Sequence, residues 1–279
     1  MNKYFLSLAA ASLVFFSSCN NQTGTQKEPD MKEPKLKVES ITYSPDGIKD
    51  SLVLDGYIAW DENIVEKRPV VLVVHEWWGL NDYIKRRVRE LAGLGYIAMA
   101  VDFYGNGKRA DNPTDAGNLS GPFYKDPDMA KQRFDAALKA IRSYSQADTS
   151  KIAAIGYCFG GTQVLNMANL GEDLAGVVSF HGGLQVVTPG KDKLKAQVLV
   201  CHGAADPFVP QAQVDQFRKQ MDSVGAKYLF KAYADATHAF SNPDATANGK
   251  KFNLPIAYNA AADSASWNDM KAFFGTIFK

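Results

Sequence analysis

Cysteine is scarce in this chain: Cys19, Cys158 and Cys201 are the three thiols in 279 residues. So few cannot build a disulfide framework, even in an oxidising compartment. Histidine is nearly as rare, at four residues. Neither Cys-x-x-Cys nor His-x-x-x-His occurs, so the usual metal-ligand spacings are missing. No metal and no other cofactor is expected. An excess of either charge is also lacking, with 31 Lys and Arg against 30 Asp and Glu. Without a basic stripe or a nucleic-acid motif, no nucleic-acid partner is expected. No apolar run reaches the ~18–20 residues of a spanning helix. Internal repeats are absent too.

The most apolar stretch lies near the start. Lys3 precedes Tyr4–Phe16, and Ser17-Ser18-Cys19 follows. A positive residue, a short apolar run and small residues form an export signal rather than a folded element. Met1–Ser18 is therefore expected to be a signal peptide. Small residues before a cysteine resemble a bacterial lipobox, although Phe16 stands where leucine is usual. Cys19 is accordingly expected to be lipidated and to begin the mature chain. That places the protein outside the cytoplasm, as a membrane-anchored lipoprotein of the cell envelope or periplasm. The alternative is a simple secretory peptide cleaved elsewhere. Residues 19–36 are read as a flexible tether, since Asn20–Pro34 is polar and carries Pro29 and Pro34. Residues 37–279 remain, roughly 245 residues counted from the last tether proline, enough for one α/β domain with a full core. A monomer is expected.

Within that domain, Lys37–Tyr43 and Leu52–Trp60 alternate as strands, joined through Ser44-Pro45-Asp46-Gly47, a turn signal. Val70–Val74 and Tyr96–Val101 are continuous apolar runs, as central strands buried on both faces require. Asn81 or Asp82 can cap a helix running to about Leu94. The spacing of Phe134, Leu138 and Ile141 predicts a helix over Asp128–Ser145. Later strands are expected at Ala175–Phe180, Gln197–Cys201 and Tyr228–Tyr233, with helices at Gln211–Val224 and Ser264–Phe278. Strands alternating with helices imply an α/β fold, a mostly parallel central sheet with helices on both faces. Asp102–Lys125 and Ser241–Asp263 are expected to be long loops, long enough to serve as lids.

The stretch that carries chemistry is Lys151–Gly161, Lys-Ile-Ala-Ala-Ile-Gly-Tyr-Cys-Phe-Gly-Gly. A short apolar strand runs into Gly156-Tyr157-Cys158-Phe159-Gly160, and a helix-like segment, Thr162–Leu170, follows. Strand, glycine-flanked turn and helix form the context of a nucleophile elbow, here with cysteine at its centre. The helix N-terminus directed at Cys158 favours thiolate over thiol. Asp206 follows the strand Gln197–Cys201, and His238 follows Tyr228–Tyr233. Nucleophile, acid and histidine thus occur in that order, each after a different strand at one sheet edge, where parallel sheets place their sites. His75, His181 and His202 also end apolar strands and are read as packed, hydrogen-bonded histidines. Cys201 is read as core.

On His75-Glu76-Trp77-Trp78-Gly79, Gly156-Tyr157-Cys158-Phe159-Gly160-Gly161, Gly203-Ala204-Ala205-Asp206 and His238-Ala239-Phe240, the chain from about Lys37 onward resembles the dienelactone hydrolase family. This resemblance implies the α/β-hydrolase fold and a cysteine hydrolase of small esters, lactones or thioesters. Cys158 would attack the carbonyl, His238 would exchange the proton, and Asp206 would orient the imidazole. The backbone N–H groups of Trp77 and Phe159 would form the oxyanion hole. Glu76 would contact the resting thiol and move aside for substrate. Trp78, Tyr104, Asn106, Phe240 and Asn242 are candidate pocket residues, as are Phe123 and Tyr124. The family's best-known members hold a substrate carboxylate with arginines at the positions of Asn106 and Asn242, so uncharged substrates are expected here. The alternatives are a non-catalytic ligand-binding protein that keeps the pocket, and a thiol-redox protein. The first is disfavoured by the complete set of Cys158, Asp206, His238 and Glu76, the second by the missing Cys-x-x-Cys.

Overall fold

The computed structural model describes residues 1, 33–47 and 52–279. The expected signal peptide, Cys19 and the tether as far as residue 32 lie outside the described residues. Met1–Glu33 and Pro34–Lys279 separate as two units, and every described helix and strand belongs to the second.

Eight strands make one sheet: β1 Leu36–Tyr43, β2 Leu54–Asp61, β3 Arg68–Val74, β4 Ile97–Val101, β5 Ala147–Tyr157, β6 Gly176–Phe180, β7 Gln197–Gly203 and β8 Tyr228–Tyr233. Their order is β1-β2-β4-β3-β5-β6-β7-β8. β1 and β2 pair antiparallel, as do β2 and β4, and all remaining pairs are parallel. Along β3 the side chains split between the two faces. Val70, Leu72 and Val74 enter one core and Val71 and Val73 the other, as a period of two demands. The first core is closed by α3 Pro127–Arg142, α4 Phe159–Leu170 and α5 Gln211–Ser223. The second is closed by α1 Asp82–Gly93 and α7 Ala260–Ile277. This is the mostly parallel sheet with helices on both faces that the strand and helix pattern predicts, and it matches the α/β-hydrolase fold that the resemblance implies.

The two expected loops are partly helical. α2 spans Pro113–Lys125 and α6 spans Ala245–Phe252. The start of α2 had a readable signal in Asn112-Pro113. Asn112 Oδ1 accepts the Asp115 N–H at 3.0 Å, and Pro113 occupies the first turn, where its missing N–H is no loss. The three helix-poor residues Gly117, Gly121 and Pro122 hide it from periodicity. Among the described residues, no helix is long and apolar enough to cross a membrane.

Candidate active site

The strand order reverses direction of growth at β3, where β4 lies on one side and β5 on the other. A crevice opens at such a point, beyond the carboxyl ends of the strands. Val74 and Gly156 are register partners there, so the residues that follow β3 and β5 emerge side by side. Glu76 and Trp77 follow the first, and Cys158 follows the second.

Cys158 has φ 52° and ψ −114°, a conformation L-residues rarely adopt. The surrounding glycines make it tenable. A Cβ on Gly160 would lie 2.3 Å from the Val74 carbonyl oxygen, and one on Gly156 would lie 2.1 Å from the Gly160 oxygen. No side chain fits at either place. The turn is then locked by backbone bonds, from Gly160 N–H to the His75 oxygen and from Cys158 N–H to the Phe180 oxygen, each 3.0 Å. Cys158 ends half-buried at the N-terminus of α4.

His238 Nδ1 lies 2.8 Å from Asp206 Oδ2, and the Asp206 side chain is wholly buried. The second oxygen of Asp206 accepts the Phe208 N–H at 2.9 Å, which fixes the carboxylate. Burial alone would lower the His238 imidazole. The charge of the Cys158 sulfur and hydrogen bonds to Asp206 and Cys158 outweigh it and hold the group up at about 10. The arrangement therefore favours an imidazolium at neutral pH, next to the Cys158 sulfur. Phe208 and His181 pack edge-on against the His238 ring, with centroids 5.2 and 5.4 Å away.

Glu76 is 1% exposed, and burial pushes its carboxyl up to about 7. The resemblance implied a contact with the thiol. Instead the carboxylate accepts from Asn242 Nδ2 at 2.7 Å. Asn242 Oδ1 in turn accepts the Asp244 N–H at 3.0 Å. Asn242 is thus a clamp on Glu76 as well as a wall of the cavity. Among the described residues, the amides of Trp77 and Phe159 make no hydrogen bond to a protein acceptor. Trp77 is held from the other side, since Tyr104 donates its hydroxyl to the Trp77 carbonyl at 2.9 Å.

A cavity of about 690 Å³ opens over Cys158 and His238, with Glu76, Trp77, Trp78 and Asn242 in its wall. Four expected pocket residues are not in that wall. Tyr104 lies beneath it, bonded to Trp77. Phe240 is fully buried against His181 and Tyr233. Asn106 is exposed, and its side-chain oxygen accepts the Val53 N–H at 3.3 Å, so it pins the residue just before β2 rather than facing the cavity. Phe123 is also absent from the wall, whereas Tyr124 is part of it. The turn after β4 faces away because Asp102 gathers the N–H groups of Tyr104 and Gly105 at 3.0 and 2.8 Å.

His181 has a position that sequence did not specify. Its Nδ1 accepts the Cys158 N–H at 3.1 Å, and its Nε2 lies 2.7 Å from Ser241 Oγ. Burial, then the charges of His238 and Arg87, drive it well below the usual histidine range. A neutral ring that accepts at Nδ1 must carry its proton on Nε2. His181 is therefore a strut for the elbow, and its place at a strand end was the available signal. His75 and His202 are buried, as expected. Cys201 is fully buried on β7, with β6 between it and the elbow strand. Burial pushes its thiol up to about 12.

The model of the dienelactone hydrolase family matches residues 54–278. A protein of Aquifex aeolicus, provisionally named a carboxymethylenebutenolidase, is 31% identical over 209 residues, 73% of this chain and 87% of that one. Protein usf of Aquifex pyrophilus is 30% identical over 244 residues, covering 85% and 97%. Among solved structures, a dienelactone hydrolase-like promiscuous phosphotriesterase from metagenomic libraries matches with a TM-score of 0.79 and 32% identity. That match covers 87% of this chain and 98% of that one.

Proposed function

Since the chain belongs to the dienelactone hydrolase family and is at that level an ester or lactone hydrolase, we propose that it works through a Cys158–His238–Asp206 triad and a covalent acyl-enzyme. The supporting observation is the pairing of His238 with Asp206 at 2.8 Å, beside a strained cysteine on the same cavity. The thiolate attacks the substrate carbonyl carbon, and negative charge moves to the carbonyl oxygen. The free N–H groups of Trp77 and Phe159 are the donors assigned to that oxyanion. Collapse expels the alcohol, which takes its proton from His238. Neutral His238 then removes a proton from water, which attacks the thioester, releases the acid and restores the thiolate. Asp206 holds the ring orientation throughout. Intact-mass analysis during turnover of p-nitrophenyl acetate tests this reading, with an acetyl group expected on Cys158. Turnover with the acetyl group on another residue would sink it.

The substrate is assigned as uncharged. Among the described residues, no Lys or Arg lines the cavity, and Lys108 and Arg109 lie on the exposed turn beyond Asn106. A carboxylate entering this wall loses its hydration without gaining a cation. A neutral ester is expected to exceed its carboxylate-bearing analogue in kcat/KM by about tenfold or more. Asn106→Arg is expected to leave that gap in place, because residue 106 stands outside the wall. Preference for the anionic member of the pair would refute the assignment.

Cys19 is proposed to carry the lipid that anchors the mature enzyme, on the strength of the apolar run ending in Ser17-Ser18-Cys19. Mass spectrometry of the N-terminal peptide from a native membrane fraction is expected to find Cys19 first and acylated. An unmodified Cys19 would leave a soluble exported enzyme.

A further inference from the structure

The cavity over Cys158 does not end at the catalytic residues. A second hollow of about 540 Å³ adjoins it, and Tyr124, Gln185 and Gln213 line both. The first volume alone lies within the range that holds a whole drug-sized ligand. The continuation leaves room for a substrate much longer than a simple acyl ester.

The composition of this second hollow is unusual. Gln213, Gln216 and Gln220 come from α5, Gln185 and Val187 from the segment after β6, and Asn166 from α4. The three α5 glutamines are three and four residues apart, which aligns them along one face of that helix. None of the residues lining this hollow is charged. Among the described residues, Gln185, Gln213 and Gln216 spend no side-chain bond on the protein, and Gln220 makes one long contact to Thr188 at 3.4 Å. By contrast, Gln211, also on α5, is tied to Asp215 at 2.8 Å. A glutamine amide both donates and accepts, so a row of unpaired ones suits a ligand whose groups also do both.

Hydroxyl groups of a sugar do this, and so do the amides of a peptide. The backbone decides between them. A peptide bound in extended form pairs with free N–H and C=O groups. No residue that lines this hollow belongs to a strand, so it offers no strand edge to extend, and at Val187 both groups are taken: the N–H by Asn166 Oδ1 at 2.9 Å and the oxygen by Asn169 Nδ2 at 2.7 Å. The Gly183 oxygen is taken by Thr162 Oγ1 at 3.1 Å. Side-chain amides remain, without a backbone ladder. Tyr124 and Phe208, 49% and 48% exposed, line the catalytic cavity and offer apolar faces against which a ring with C–H groups can lie.

Direction follows from the catalytic residues. α5 begins at Gln211, a few residues after Asp206 and Phe208, which touch His238. The hollow therefore continues on the side of the histidine, where the leaving alcohol takes its proton. Resting on the hydrolase reading above, we infer that this enzyme deacylates an uncharged oligosaccharide, whose sugar units lie along the glutamine face of α5. In that step the Cys158 sulfur bonds to the acyl carbon, the bond from that carbon to the sugar oxygen breaks, and His238 protonates the departing oxygen to give the sugar hydroxyl. Water then releases the free acid.

The test compares acetylated xylotetraose with p-nitrophenyl acetate in one preparation of the enzyme, and again in Gln216→Ala and the Gln216→Ala/Gln220→Ala pair. The oligosaccharide acetate is expected to be the better substrate. Each variant is expected to lower kcat/KM on it, relative to p-nitrophenyl acetate, by about tenfold, mainly through KM. A matched tetrapeptide ester that outperforms the sugar ester would overturn the assignment, as would variants that change both rates in the same proportion. Hydrolysis of p-nitrophenyl acetate without that of the sugar ester removes the sugar subsite alone. Failure on every ester would remove the Cys158 reading with it.

Discussion

Alanine at position 158 is expected to lower the turnover of a short ester by a factor on the order of 10³ or more, because a triad acts as one unit. The fold should survive the change. Cys158 is half-buried, and alanine removes only the sulfur from the cavity side of the turn. The strained φ of 52° remains, held by backbone bonds and by His181 Nδ1 on the Cys158 N–H. The imidazole loses the neighbouring sulfur that raises its pKa, so His238 in the variant should titrate well below about 10. Two readouts therefore move together: ester turnover, and the NMR titration of one histidine. Near-normal turnover in a clean preparation would end the assignment of Cys158 as nucleophile. Serine at the same position is the gentler test, since His238 can still serve it as a base.

Glu76→Gln is expected to stabilise the fold in alkaline solution and to do little in acid. The folded-state carboxyl sits at about 7, against the usual 4.5, because it is buried. A carboxyl raised by folding binds its proton more tightly in the folded state. Its stabilising contribution is complete below about 4.5 and is lost as pH rises through about 7. Above that point the wild type keeps a buried carboxylate whose burial costs about 3 kcal/mol, taking 1.36 kcal/mol per pKa unit. Glutamine carries no such charge and retains an oxygen for Asn242. Unfolding in urea at pH 8.5 should favour the variant by up to that amount, and the difference should close toward pH 4. His238 titrates in both proteins, so its contribution largely cancels. A difference independent of pH would mean that Glu76 is not ionising in this window.

Much of the site was legible in the chain because its parts are local. Cysteine between Gly156 and Gly160, after an apolar strand, needs no distant residue to be read as an elbow. The two steric contacts at 2.1 and 2.3 Å give the reason for glycine there. Asp206 and His238 could be found because chain order and strand ends locate them, and the 2.8 Å pairing follows from parallel strands that end at one edge. Helix α2 was less visible. Its cap was written in Asn112-Pro113, but its glycines and Pro122 weaken the periodic signal. Asn242 does line the cavity, but its bond to Glu76 was not legible in the sequence. The family resemblance located it near the site, yet a resemblance does not say which neighbour an amide will choose.

The sequence by itself determined the strand–helix alternation, the glycine-flanked turn at Cys158 and the order of cysteine, aspartate and histidine along the strand ends. These follow from residue type and spacing along a few residues of chain. Tertiary structure alone decided the cavity wall, the exclusion of Asn106, Tyr104 and Phe240 from it, and the row of glutamines that prolongs it. A wall is assembled from segments far apart: Asn242 meets Glu76 across 166 residues. Asn106 and Asn242 are the same amino acid near the same sheet edge, and nothing local separates them. The Asp102 carboxylate turns one loop back onto β2, while the path from β8 through His238 lays the other over Glu76. That choice is set by which buried polar groups must be paired when the whole fold closes.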